Sequence, residues 1–327
     1  MTREGMERIV QLQQDKNYGS KARSRSTLYG VLLLLFSTLA WCQESDPRIV
    51  YLAGSGNPAL DQHMTRLLED SLGKDVALHP LAKGQTTTPD DAPIVTIGPS
   101  SFLRVRQANR RVPILAMLVE RDFIEDYVTR NPGQISAVYY DVPLHLQARI
   151  GKAVLPQATK VAILASTETV GLYEPVVDKL PAMGLQPRVF IVDSRQDLIP
   201  TLVRALNYGD FLLAGPDDRI YNPSTIKHIL LTTYRRNRIV IGPSQAYVKA
   251  GSLASGYAPF SIMAGTASRQ LKHFFANGEL PAPDYPDQYR VEINSQVARS
   301  LNIPLPGKEA LEQELDRARA ENQEVRQ

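Results

Sequence analysis

Asp217 and Asp218 follow the apolar run Phe211–Ala214 and the breaker Gly215-Pro216. Adjacent carboxylates are candidates for acid/base chemistry, but neighbours in a turn point apart, so a working pair is not expected. Holding a ligand ammonium, or capping the next helix, suits one of them better. Ser244 ends Ile239-Val240-Ile241-Gly242-Pro243-Ser244, and Ser100 ends the similar Ile94-Val95-Thr96-Ile97-Gly98-Pro99-Ser100. Gly-Pro breaks a strand and Ser caps a helix, so shared turn chemistry explains the echo. A serine and its N–H at a helix start also suit a carboxylate or other anion. Glu120, Tyr140, Ser166 and Thr167 stand at further breaks of the same kind.

Gly54-Ser55-Gly56-Asn57-Pro58-Ala59 matches the G-x-G-x-x-A dinucleotide fingerprint after a strand. Pro58 is awkward inside a phosphate turn, and the second strand leads to Lys83 rather than to an acid for the ribose. No cofactor is expected. Tyr139, Tyr140, Tyr173 and Tyr247 fall near strand ends, where they would stack on a ligand or pack between lobes. His63, His79, His145, His228 and His273 are scattered, with no metal-ligand spacing. Cys42 is the only cysteine, which excludes an internal disulfide and a cysteine-based zinc site. The sequence contains no G-x-S-x-G elbow, H-E-x-x-H or P-loop. Binding without turnover is the expectation.

Elements that alternate in period must position these residues. Short apolar runs at Arg48–Ala53, Val76–Leu81, Ile94–Ile97, Pro113–Val119 and Ile135–Tyr140 read as strands. Helical spacing fills Ala59–Leu72 and recurs at Leu144, Ile150 and Val154. The series restarts with strands at Lys160–Leu164, Arg188–Val192, Phe211–Ala214 and Arg238–Ile241, separated by helical patterns. Asn222-Pro223-Ser224-Thr225 opens the last of these helices. A helix from about Met263 to Asn277, a strand at Tyr289–Ile293 and a charged helical tail, read as solvated or frayed, follow. Two blocks of βα repetition predict two doubly wound α/β lobes with parallel sheets and ligands at the carboxyl ends of strands.

The chain has 327 residues and a net charge of +3 from mixed charges, which gives no case for nucleic acid. Lys21, Arg23 and Arg25 precede the apolar segment Gly30–Ala40, in which Thr38 and Ala40 fit the small −3 and −1 positions of a cleavage site. That pattern reads as a secretory signal peptide, with a membrane anchor or core helix as alternatives. Leu39-Ala40-Trp41-Cys42 resembles a lipoprotein box, in which Cys42 would carry a lipid. Trp41 departs from the small residue such boxes place there, so lipidation is the minority reading. The basic stretch lies far from Met1, which leaves Met6 as an alternative start.

Behind that segment, the late Asp-Asp turn is followed by a strand, Ala250-Gly251-Ser252-Leu253-Ala254, and a helix ending in Asn277-Gly278-Glu279-Leu280-Pro281. Glu292-Ile293-Asn294 and Ile303-Pro304-Leu305-Pro306 close the pattern. The sequence from Lys160 to Pro306 resembles the tryptophan/tyrosine-binding-like substrate-binding proteins of ABC transporters, which have the type I periplasmic binding protein fold. In the first lobe it departs from them, with Glu120-Arg121-Asp122 where they carry an Asp-Pro turn. The resemblance implies a signal peptide and extension over 1–42, a first lobe of 46–142 plus 250–282, a second of 143–249 plus 283–306, and a tail of 307–327. It implies a periplasmic solute-binding protein partnered by an ABC permease; a ligand sensor or receptor partner on the same fold is the alternative. The membrane would be met only through the signal peptide or a lipid on Cys42. The implied cleft brings together Ser55, Gly56, Ser100, Glu120 and Tyr140 from one lobe, and Ser166, Thr167, Asp217, Asp218 and Ser244 from the other. Serine turns would take a carboxylate, Asp217 an ammonium and Tyr140 a stacked face of an amino-acid-like ligand.

Overall fold

The computed structural model describes residues 47–82, 92–215 and 217–324. The signal peptide, the lipoprotein box and the threonine-bearing stretch 83–91 lie outside the described residues. In the first block, apolar runs form β1 (Arg48–Ala53), β2 (Val76–Pro80), β3 (Ile94–Ile97), β4 (Ile114–Val119) and β5 (Ile135–Tyr139). Between them lie α1 (Pro58–Leu72), α2 (Pro99–Ala108) and α3 (Arg121–Arg130). The five strands pair in parallel in the order β2-β1-β3-β4-β5. Runs such as Ile94–Ile97 are apolar throughout because both faces are covered. Val95, Ile97, Leu115 and Met117 join one apolar cluster, while Ile94, Ile114 and Ala116 join the opposite one with Phe102 and Ile124.

The second block begins with α4 (Leu144–Val154) and β6 (Lys160–Ala165). The helical pattern that follows divides into a 3₁₀ turn at Val170–Tyr173, α5 (Glu174–Lys179) and a second 3₁₀ turn at Leu180–Met183. Next come β7 (Gln186–Ile191), α6 (Arg195–Tyr208), β8 (Phe211–Leu213), α7 (Ile226–Arg235), β9 (Ile239–Ile241) and α8 (Gln245–Ala250). The chain ends with β10 (Ala254–Tyr257), α9 (Phe260–Asn277), β11 (Arg290–Ile293), α10 (Ser295–Ser300) and α11 (Lys308–Glu324). The second sheet has the order β11-β10-β9-β8-β6-β7 and is parallel except for the β10–β11 pair. In each sheet the first strand of the block lies between the second and the third, so the topology repeats.

Two expectations need correction. Residues 250–282 do not belong wholly to the first lobe. Ala254 pairs with Ile241, and Ala254–Tyr257 runs antiparallel to Arg290–Ile293, so the chain crosses after β10. From this stretch α9 packs back on the first lobe, against α1, β4 and β5, and Leu280 N–H donates to the Gly133 carbonyl at 2.7 Å. The sequence Ala-Ser-Gly-Tyr has no β-branched residue, so its strand state comes from its two neighbours rather than from propensity. The tail is no solvated helix either. Leu311, Leu315 and Ala318 are buried as α11 lies on α4 and β11. Arg149 pairs with Glu314 at 2.9 Å, and Arg319 donates to the Asp287 carbonyl at 2.8 Å. The return crossing touches the first sheet as well: Tyr139 N–H donates to Asp284, and Asp284 N–H to Ala137.

Candidate functional site

A cavity of about 460 Å³ lies between the two sheets, walled by loops that follow strands of both and by the crossing segments. The first lobe supplies Glu120 after β4, and Tyr140 and Asp141 after β5. The second supplies Asp217 and Asp218 after β8, and Ser244 and Tyr247 after β9. Gln147, Tyr257, Tyr285 and Tyr289 close the hinge side, and Arg319 enters from the tail.

Local backbone geometry aims several of these groups. A register shift between Met117 and Val119 bulges β4, and Leu118 takes φ 55, so the strand turns just before Glu120. Gln147 is buried and locks the α4 crossing to β10: its amide accepts from Gly256 N–H at 2.8 Å and donates to the Gly256 carbonyl at 3.1 Å. Gly215 lets the loop after β8 lie on Tyr173, whose hydroxyl would come within 2.5 Å of an added Cβ. Tyr139 turns away from the cavity wall to pack on Tyr285, with ring centroids 4.7 Å apart.

Of the ten residues the resemblance brings together, five line one cavity: Glu120, Tyr140, Asp217, Asp218 and Ser244. Ser55, Gly56, Ser100, Ser166 and Thr167 are not on its wall. The Asp61 carboxylate already accepts from Ser55 N–H and its hydroxyl, both at 2.7 Å, and from Gly56 N–H at 3.2 Å. It fills the space that a dinucleotide phosphate would need, and an added Cβ on Gly54 would sit 2.5 Å from it. Thr167 gives its N–H and hydroxyl to Asp193, both at 2.7 Å. Ser100 is exposed on the first turn of α2.

Asp217 reaches the cavity wall but has a different job from the one expected. It is 1 % exposed, and its carboxylate accepts from Ser166 N–H at 2.9 Å, from the Thr169 hydroxyl and from Arg219 N–H at 3.0 Å. Burial alone would raise its pKa; the donors from Thr169, Ser166 and Arg219 outweigh burial and hold the carboxyl below its ordinary value. Asp217 is a clamp between the loops after β6 and β8, not an open partner for an ammonium.

The remaining acids crowd one another. Burial, then the charges of Asp141, Asp218 and Asp122, push the Glu120 carboxyl up to about 7. Burial and Asp141 push Asp122 up to about 6. Burial also raises Asp141, against the Arg121 N–H and Tyr285 hydroxyl that donate to it at 3.0 and 3.1 Å. Among the described residues no cluster of histidine, cysteine and acidic side chains is placed to hold a metal ion. The cavity offers charge and aromatic faces.

No protein-family model matches the sequence, and no curated protein matches it. Solved structures do. A substrate binding protein with adhesive properties from Clostridium difficile, in its ligand-free, open structure, aligns with a TM-score of 0.63 at 15% identity, over 80% of this chain and 97% of that one. The chain has the type I periplasmic-binding-protein fold. A conserved domain protein from Vibrio cholerae aligns at 0.55 and 18% identity, over 82% of this chain and 97% of that one. An ABC domain from Streptococcus pneumonia, in complex with L-Trp, aligns at 0.54 and 16% identity, over 82% and 98%. In this fold the cavity occupies the interlobe cleft.

Sequence reasoning missed Asp141, Gln147, Tyr285, Tyr289 and Arg319. Asp141 stands directly after a strand run, so its position was visible. Nothing in the sequence near Tyr289 or Arg319 announced that the hinge and the tail reach the cleft.

Proposed function

We propose that this chain is an exported solute-binding protein that takes a small polar ligand between its lobes and closes over it by hinge bending. One observation carries the reading: a cavity of about 460 Å³ is walled jointly by loops after strands of both sheets and by the segments that cross between them. A cavity of this size suits a small molecule, and its position at a hinge makes closure the natural way to bury it. The basic and apolar N-terminal segment supports export, and delivery to an ABC-type permease is the role that follows. The Streptococcus structure holds L-Trp, which makes amino acids one class to try. The cleft supports the amine half of the amino-acid-like ligand, through its acids and tyrosines.

A thermal-shift screen against amino acids, amines, purines, sugars and small amides tests this. Ligand at a hundred times its Kd stabilises the protein by about 2.7 kcal/mol, which raises Tm by roughly 5 °C. A dose-dependent rise with one chemical class is expected. Folded protein that no class stabilises would contradict the reading.

A further inference from the structure

The polar groups of the cleft are unbalanced in sign. Seven carboxylates line it against three side chains of fixed positive charge. Arg121 is held by Glu125 at 2.6 Å, and Arg319 by Asp287 at 3.0 Å. The side chains of Glu120, Asp122 and Asp218 accept no hydrogen bond from any described residue.

The loop amides tell the same story from the other side. Such N–H groups make anion sites when they are left open. Here the chain fills them with its own acids: Asp61 on Ser55 and Gly56, Asp217 on Ser166, Asp193 on Thr167, and Asp141 on Arg121. Of these amides only that of Arg121 lines the cleft, and a ligand carboxylate there would find it engaged by Asp141.

An independent polar group on the same wall has no partner. Tyr289 is 0 % exposed, lines the cavity, and its hydroxyl has no hydrogen-bond partner. It lies in the field of Arg319, Asp141 and Asp284. A hydroxyl can accept from an N–H brought by a ligand.

We propose that the cleft binds a small organic cation that carries N–H donors and no carboxylate, an alkylamine or a guanidine, held between Glu120 of the first lobe and Asp218 of the second. This rests on the solute-binding reading above and names its ligand class. Glu120 and Asp218 carry like charge on opposite lobes, so they resist closure of the empty cleft. A cation between them turns that repulsion into two attractions, and Tyr140 and Tyr247 supply aromatic faces for it. Part of that repulsion is relieved in the empty cleft by proton uptake, because burial and then Asp141, Asp218 and Asp122 raise the Glu120 carboxyl to about 7, with Tyr140 and Tyr247 near it. The bound cation replaces that proton.

Calorimetric titration of the purified protein with 1,4-diaminobutane, agmatine, L-ornithine, succinate and ribose tests the assignment. Ornithine is 1,4-diaminobutane with one carboxylate added, so the pair isolates that group. The diamine or agmatine is expected to bind, ornithine at least about tenfold more weakly. Glu120→Gln and Asp218→Asn should each weaken amine binding roughly ten- to hundredfold, with unfolding curves checked in parallel. Below pH 7, titration in two buffers of different ionisation enthalpy should show proton release, which Glu120→Gln abolishes. Binding of ornithine, succinate or ribose in preference to both amines overturns the cation assignment and leaves the solute-binding reading standing. Amine binding unchanged in both variants overturns the placement. No binding by any of the five, together with a flat thermal-shift screen, removes both readings.

Discussion

Replacing Asp217 should damage the fold rather than only the cleft. Its carboxylate joins Ser166, Thr169 and Arg219, and the Ser166 amide it satisfies is buried. A hydrogen bond to a charged group contributes about 1.5–3 kcal/mol, and a buried donor left without a partner costs about 1–3 kcal/mol. Bonds in one network do not add fully, so Asp217→Ala is expected to lose about 3–5 kcal/mol. Asp217→Asn keeps one acceptor but turns an NH₂ group toward existing donors, and should lose about 2–3 kcal/mol. The pH dependence has a definite sign. The folded pKa of Asp217 lies below its ordinary value, so its contribution is complete above the ordinary carboxylate range and is lost as pH falls through the folded value. The gap between parent and Asp217→Asn should therefore be widest near neutrality and shrink in acid. Urea unfolding followed by circular dichroism measures both. An Asp217→Ala variant within about 0.5 kcal/mol of the parent, the range of a neutral surface change, would refute the clamp.

Glu120 should behave in the opposite sense. Its folded pKa is raised to about 7, so between the ordinary carboxylate range and pH 7 the folded protein keeps a proton that the unfolded chain has released. Its contribution to stability falls as pH rises through that window, and Glu120→Gln should be more stable than the parent above pH 7; equal Tm values at pH 8 would contradict this. Leu315→Ala removes a fully buried side chain from the α11 face and should cost about 2–5 kcal/mol, whereas a frayed tail would lose almost nothing in the same urea titration. Gln147→Leu deprives Gly256 N–H of its acceptor and should lower stability by about 1–3 kcal/mol, read from the unfolding midpoint.

The architecture was legible because its strands are buried on both faces. Ile94–Ile97 and Phe211–Leu213 are continuous apolar runs closed by breakers, and such runs place strand ends as well as strands. Glu120, Asp218 and Ser244 were visible for that reason. The roles of Ser55, Ser166 and Asp217 were not, because each depends on a partner the sequence does not put beside it. Ser166 meets Asp217 from 51 residues away. A turn amide looks open until the carboxylate that fills it is found. Leu311, Leu315 and Ala318 make a stripe that periodicity reveals, but whether a surface receives it depends on α4 and β11. Arg319 reaches the cleft only because that docking occurs.

Interlobe closure is the most direct test of the account. Spin labels at Ser100→Cys, exposed after β3, and Gln196→Cys, exposed after β7, report across the cleft when Cys42 is replaced by serine. Pulsed electron resonance distances should be measured with and without the compound that most raises Tm. A shorter and narrower distance distribution at saturating compound is predicted. An unchanged distribution under saturation would contradict binding by hinge closure.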